Sequence, residues 1–219
     1  MHVLAIDTAG VDCSAAIYHA SEKRVLSSVI DRIGKGHAER LMAMIEEALQ
    51  AADLILPSID RIAVTIGPGS FTGIRVGVAA ARGLGLALDV DVVGVSTLQA
   101  LAMKHLDEDA SRPVIAAMDA KRNEIYAQAF DEHCQPLGQP ESLSLDQLKA
   151  LAHKHSATVT GSAVALLSGL EKSEDPDRFN IAIVAKLGAQ AQPGVDIAKP
   201  LYLRGPDAKP QDGFALARA

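Results

Sequence analysis

The sequence predicts an α/β protein, and three observations carry that prediction. Short apolar runs bounded by turn residues alternate with longer segments of helical periodicity, in the order βββαβαβα over the first half. A strand that ends in Asp and turns straight into a second strand occurs twice, at Asp7 and at Asp119. The chain has 219 residues, enough for one large domain or two small ones with a real core.

The elements follow in order. Val3 to Ile6 is apolar and ends in the turn Asp7-Thr8-Ala9-Gly10. Cys13 to Tyr18 and Arg24 to Asp31 read as two more strands, so the opening is an antiparallel meander. Ala38, Leu41, Met42, Ile45, Ala48, Leu49 and Ala52 recur at helical spacing and predict a helix over 37–52. Arg61 to Ile66 is a buried strand, ended by Gly67-Pro68-Gly69. Ser70 or Thr72 can cap a second helix to about Leu88. Val92 to Val95 is a strand, and Ser96-Thr97-Leu98-Gln99 matches a capping box for a third helix. The strand–helix–strand units should be parallel with right-handed crossovers.

After the polar linker at 108–111 the pattern restarts. Pro113 to Met118 and Ile125 to Phe130 read as a hairpin around Asp119-Ala120-Lys121-Arg122. Ser144-Leu145-Asp146-Gln147 is a second capping box, for a helix to about His153. Thr158 to Gly161 is a short strand and Ile181 to Gln190 a helix. The two halves, 1–108 and 109–219, are expected to be domains of related topology, the second reduced. The tail after Arg204 is rich in Pro, Gly and charge and is expected to fray, or to pack back on the first domain.

Composition narrows the function classes. The formal net charge is −6, with no Lys/Arg block, which disfavours autonomous binding to nucleic acid. Tryptophan is absent and aromatics are scarce, so no base-stacking platform stands out. No apolar run reaches the roughly 18 residues of a membrane span. The two cysteines, Cys13 and Cys134, form no CxxC pair. With a first strand starting at His2 and no leader before it, the expectation is a cytoplasmic protein that contacts no membrane.

The segment Gly67 to Gly77 carries the most information. It lacks the Gly-Lys-Ser/Thr of a phosphate loop, and the dinucleotide fingerprint fits no better. Within the helix, Gly73, Gly77, Ala81 and Gly85 recur every four residues and share a face. Each helical glycine costs about 1 kcal/mol relative to alanine, so close approach of another backbone must offset roughly 4 kcal/mol when Gly83 is included. Spacing alone leaves three readings open: packing on this protein's own sheet, contact with a second chain, and contact with a nucleotide. Asp7 is a plain turn residue or, as in actin-like ATPases, faces metal-bound phosphates. Histidines at helical metal spacing and a Gly-x-Ser-x-Gly elbow are both missing, so neither a helical two-histidine metal site nor a serine nucleophile is expected.

Several blocks resemble the TsaB (YeaZ) family, bacterial subunits needed for threonylcarbamoyl modification of the adenosine beside the anticodon in certain tRNAs. These are Leu4-Ala5-Ile6-Asp7-Thr8-Ala9, the Gly67–Gly77 block, Ser96-Thr97-Leu98, Asp119-Ala120-Lys121-Arg122 with Glu124 and Tyr126, and Pro200-Leu201-Tyr202-Leu203-Arg204. The likeness is strong through residue 126 and thin between about 130 and 195. Lys121 departs from the Asp-Ala-Arg-Arg that family members often carry.

The resemblance implies an actin/Hsp70-like (ASKHA) fold of two RNase H-like domains. It implies a non-catalytic partner of the related transferase TsaD, whose metal-binding His-x-Glu-x-His motif this sequence lacks. The ATPase TsaE is implied as a further partner, TsaC as the source of threonylcarbamoyl-adenylate, and a homodimer when TsaD is absent. Contact with tRNA would come only through the complex. The implied partner surface is the helix pair 37–52 and 72–88, with Leu41, Ile45, Leu49, Gly73, Arg75, Val76, Gly77, Ala80 and Ala81. Asp7, Thr8, Gly67, Gly69 and Ser70 are the candidates for lying near a nucleotide. No cofactor is expected on the chain alone; ATP or ADP and a metal would belong to the complex with TsaD and TsaE. Two rival classes remain, an actin-like ATPase acting through Asp7 and a stand-alone RNA-binding protein.

Overall fold

Three antiparallel strands open the chain: β1 (His2–Asp7), β2 (Asp12–His19) and β3 (Arg24–Arg32). The computed structural model describes residues 1–169 and 174–204. After the meander come α1 (His37–Ala51), β4 (Arg61–Gly67), α2 (Phe71–Leu88), β5 (Asp91–Ser96) and α3 (Thr97–Glu108). β4 runs parallel to β1, and β5 parallel to β4, as strand–helix–strand connections require. The sheet order is β3-β2-β1-β4-β5.

The second half repeats this plan. β6 (Val114–Asp119) pairs antiparallel with β7 (Ile125–Phe130), which pairs with β8 (Glu141–Leu143). Then α4 (Leu145–His155) leads to β9 (Thr158–Thr160), parallel to β6. The order β8-β7-β6-β9 is the first sheet's order without its last strand. A short helix α5 (Val164–Ser168) and a longer one, α6 (Ile181–Gln190), complete the described elements. The sequence reading lacked β8 and α5; a three-residue strand and a five-residue helix are too short to show periodicity.

The capping residues are those the sequence signals, but the capping box expected at Ser96–Gln99 is only a simple cap. Ser70 accepts from Gly73 N–H at the start of α2, and Ser96 from Leu98 N–H at α3. Ser144 and Gln147 form the full reciprocal capping box of α4. Ser70, not Thr72, takes the cap of α2.

Each face of the first sheet has its own core. Leu41, Met44, Ile45 and Ala48 of α1 and Ile74 and Val78 of α2 pack with Leu4, Ile6, Ile62 and Val64 on one face. On the other, Val3, Ala5, Ala63 and Val93 meet Ile181, Val184 and Leu187 of α6. So α6, although placed in the second half by sequence, covers the first sheet. Gly188 makes that approach close: a Cβ there would strike the Cβ of Ala63. Arg61 Nη1 donates to the carbonyls of Gly188, Ala189 and Ala191 at 3.0–3.2 Å, capping the C-terminal end of α6 with a cation. α3 packs on the second sheet through Leu98, Leu101 and Leu106.

Past α6 the chain returns to the first sheet, where Ile197 bridges Val93 and Leu201 N–H donates to Ile66 O at 2.8 Å. The tail after Arg204, on which fraying or packing back was expected, lies outside the described residues. Among the described residues one helix, α2, is long and apolar enough by length and composition to cross a membrane, which the apolar runs of the sequence did not suggest. Its apolar, glycine-rich face lies against the protein's own strands.

Candidate functional site in the cleft between the sheets

Because β1 and β6 occupy equivalent places in the two sheets, their terminal aspartates are brought to one cleft. Asp7 and Asp119 both line it, in a volume of about 490 Å³. Ser70, at the N-terminus of α2, and Thr97, at the N-terminus of α3, also face this space. The stretch 175–179, between α5 and α6, lines the far side.

Asp7 is almost fully buried. Its Oδ1 accepts from Thr65 Oγ1 at 2.6 Å and from Ala9 N–H at 3.0 Å. Burial pushes its carboxyl above the usual aspartate range, against the pull of those two hydrogen bonds; nearby Asp12 adds to the rise. Asp12 holds Arg178 Nε on Oδ2 at 2.5 Å. Arg178 O in turn accepts from Lys104 Nζ at 2.9 Å. Asp119 holds Lys121 by its backbone N–H at 2.9 Å and its Nζ at 3.0 Å. Ser162 Oγ accepts from Asp119 N–H at 2.8 Å, and Ser162 N–H donates to Asp177 at 2.7 Å.

The hairpin turn after Asp119 is exposed but conformationally constrained. Lys121, Arg122 and Asn123 all have positive φ, at 63°, 55° and 62°. Side chains disfavour that region. Arg204 pins the turn, with Nε donating to Glu124 at 2.8 Å and Nη2 to Ala120 O at 3.1 Å.

The residues expected near a nucleotide come together. The 67–70 turn packs on the turn after β1: Ser70 N–H donates to Ala9 O at 2.7 Å, and a Cβ on Gly69 would strike that same oxygen. Of the five, only Asp7 and Ser70 line the cleft. Thr8 is fully buried, and its Oγ1 donates to Gly73 O at 2.7 Å.

The residues expected at the partner surface divide differently. Leu41, Ile45 and Leu49 are 1%, 2% and 7% exposed and belong to the core beneath α1, so no partner can reach them. Helical periodicity finds the apolar face of a helix, and here that face turns inward. Gly73, Gly77 and Ala81 are buried as well. A Cβ at Gly73 would strike Thr8 O, and one at Gly77 would strike Thr8 Oγ1. Internal packing is therefore what the glycine spacing reflects. Val76 and Ala80 are half-buried, while Arg75 is exposed, stacked over Phe71 at 3.6 Å and donating to Tyr202 OH at 2.9 Å. The outward face of the pair carries Met42, Phe71 and Leu86.

Sequence reasoning missed Asp12, Thr97 and Arg178 in the cleft, and Thr65 buried behind Asp7. Asp12 and Arg178 lie 166 positions apart, and no local signal joins them. The cysteines take no part. Burial pushes the Cys13 thiol up to about 11 and the Cys134 thiol up to about 12, so neither forms a thiolate near neutral pH. Among the described residues no group of three His, Cys, Asp or Glu side chains could hold a metal ion.

Two sheets of the same order, the second one strand shorter, each with an Asp ending its first strand and a cleft between them, define an α/β protein built from two repeated units with the second reduced. Residues 25–176 match the family model described as TsaD, tRNA N6-adenosine threonylcarbamoyltransferase. The chain is 38% identical to the tRNA threonylcarbamoyladenosine biosynthesis protein TsaB of Haemophilus influenzae over 57% of this chain and 51% of that one. The chain thus spans about half the length of that relative. It is 28% identical to Escherichia coli TsaB over 80% of this chain and 74% of that protein. The solved YeaZ structure from Pseudomonas aeruginosa superposes with a TM-score of 0.75 at 28% identity, covering 92% of this chain and 99% of that one. The chain belongs to the TsaB (YeaZ) family, paralogous to TsaD.

Proposed function

We propose that this chain is the non-catalytic subunit that binds and activates a TsaD transferase in forming threonylcarbamoyladenosine in tRNA. Membership of the TsaB family is the observation that carries this reading, since relatives of that name are tRNA threonylcarbamoyladenosine biosynthesis proteins. The action is cytoplasmic, with TsaE as a further partner and TsaC supplying the activated threonylcarbamoyl group. The partner surface is the outward face of α1 and α2. Met42, Phe71 and Leu86 are 51%, 57% and 87% exposed there, and Arg75 and Arg82 lie among them. Exposed apolar side chains rimmed by charge are the usual mark of a protein–protein contact.

The test is reconstitution of tRNA modification with and without the chain, beside pull-down of TsaD. Leu86→Asp and Met42→Glu should each weaken capture at least tenfold and leave the circular dichroism melt unchanged, because neither side chain is in the core. Full modification without the chain would reject the subunit role. Undiminished capture by both variants would reject this surface.

The rival reading, an ATPase acting through Asp7, has the placement of Asp7 in the cleft in its favour. Against it stand the burial of that carboxyl and the acidic lining around it.

A further inference from the structure

A second groove lies apart from the cleft and shares none of its lining. It is walled by β5, α3, β7 and the stretch 187–201. Five of the chain's nine glutamines line it: Gln99, Gln128, Gln135, Gln190 and Gln192. Asp196 is the one carboxylate there, and among the described residues no lysine or arginine joins it. A phosphate or carboxylate would find no cation in this lining. An ammonium group would find one acid, whose Oδ2 already accepts from Gln192 N–H at 2.7 Å. The lining therefore favours a neutral ligand.

Two of the amides indicate what that ligand carries. Side chains alternate along β7, so Gln128 shares the face of Phe130, and both line the groove. Gln128 is 8% exposed. Its Nε2 donates to Gly138 O at 2.9 Å, which fixes which end of the amide is oxygen. Nε2 keeps a second proton, and Oε1 accepts from nothing among the described residues. Buried polar groups are nearly always paired, so this acceptor marks where a ligand's donor fits. Gln99 stands where a capping box would turn its side chain back to Ser96 N–H. It makes no such bond and lines the groove instead.

We propose that the groove binds a neutral small molecule through an amide-type edge, an N–H beside an acceptor, as carboxamides and nucleobases present. The ligand's N–H donates to Gln128 Oε1, and Gln99 supplies a second amide to the same edge. Its apolar body lies against Met103, Phe130, Leu187 and Leu201, which share the lining. Glutamine amides pair in this way with the edge of adenine. The volume, about 460 Å³, falls within the range of about 300–1,000 Å³ usual for small-molecule sites. The proposal concerns the chain by itself and does not rest on the subunit reading.

Nicotinamide and adenosine are the probes, one for each source of that edge. They are titrated into the full chain by calorimetry and thermal shift, with nicotinate and AMP as their charged counterparts. Saturable binding of nicotinamide, adenosine or both is expected, and neither anion should bind more tightly than its neutral counterpart. Gln99→Met keeps the length of the side chain and removes an amide that bonds to nothing in the free protein. Its Tm should therefore hold, while affinity for the bound probe falls about tenfold, the loss of roughly one hydrogen bond. Gln128→Met should weaken binding at least as much, with circular dichroism checking the fold because this variant also leaves Gly138 O without its donor. Absence of saturable binding by both neutral probes overturns the proposal. So does tighter binding of either anion, or undiminished affinity in either folded variant.

Discussion

Asp7 shows what one buried carboxyl contributes. Desolvation raises its pKa above the ordinary 3.8, so the folded chain holds this proton more tightly than the unfolded one. The stability linked to that proton is complete below the unfolded value and is lost as pH rises through the raised folded value. Asn keeps the shape and can still accept from Thr65 and Ala9, but it does not ionise. The Tm of the wild type relative to Asp7→Asn should therefore fall as pH is taken from about 4 to 8. A gap that instead grows in favour of the wild type with pH would mean the ionised form is the stabilised one. The residue itself was legible from sequence, because an Asp closing an apolar run is a turn signal. Its shift was not: it depends on Thr65, 58 positions away, and on burial that only the assembled sheet creates.

At the scale of the element, α2 separates two kinds of glycine. Spacing placed Gly73, Gly77 and Gly85 on one face but did not say what that face meets. The answer is this protein's own first turn and sheet, with Thr8 against Gly73 and Gly77 and Val92 against Gly85. Gly83 faces open space. Gly77→Ala should cost roughly 1–3 kcal/mol in urea denaturation, since the added methyl drives into the Thr8 hydroxyl. Gly83→Ala should add about 0.5–1 kcal/mol through helix propensity alone. Thr8→Ala would relieve much of the Gly77→Ala penalty, a coupling that a double-mutant cycle reads directly. Equal effects from the two glycine variants would remove the close approach from the account. The same helix shows why the partner face was misjudged: periodicity identifies the stripe that must be buried, and tertiary packing decides whether a partner or the protein's own sheet buries it.

For the molecule as a whole, the repeat was legible because Asp7 and Asp119 end equivalent strands, and the sheet orders agree with it. The role of α6 was not. A helix over 181–190 follows from its apolar spacing, yet nothing local ties it to the strands of the first half. Its residues Ile181, Val184 and Leu187 close one face of the first sheet, and Arg61 caps its end. A chain cut after residue 108 would leave Val3, Ala5, Ala63 and Val93 in water on that face. Burying a valine contributes about 1.5–3 kcal/mol and an alanine methyl about 0.8 kcal/mol, so the loss across this face reaches the lower end of a small domain's whole stability, about 5–15 kcal/mol. The fragment 1–108 should therefore lack a sharp thermal transition and bind a hydrophobic dye, whereas the full chain melts in one step. Adding a peptide covering 178–192 should restore part of the transition, and the same peptide with Gly188→Leu should not, because the larger side chain meets Ala63. A fragment 1–108 that melts as sharply as the full chain would show that the first sheet stands without its late helix.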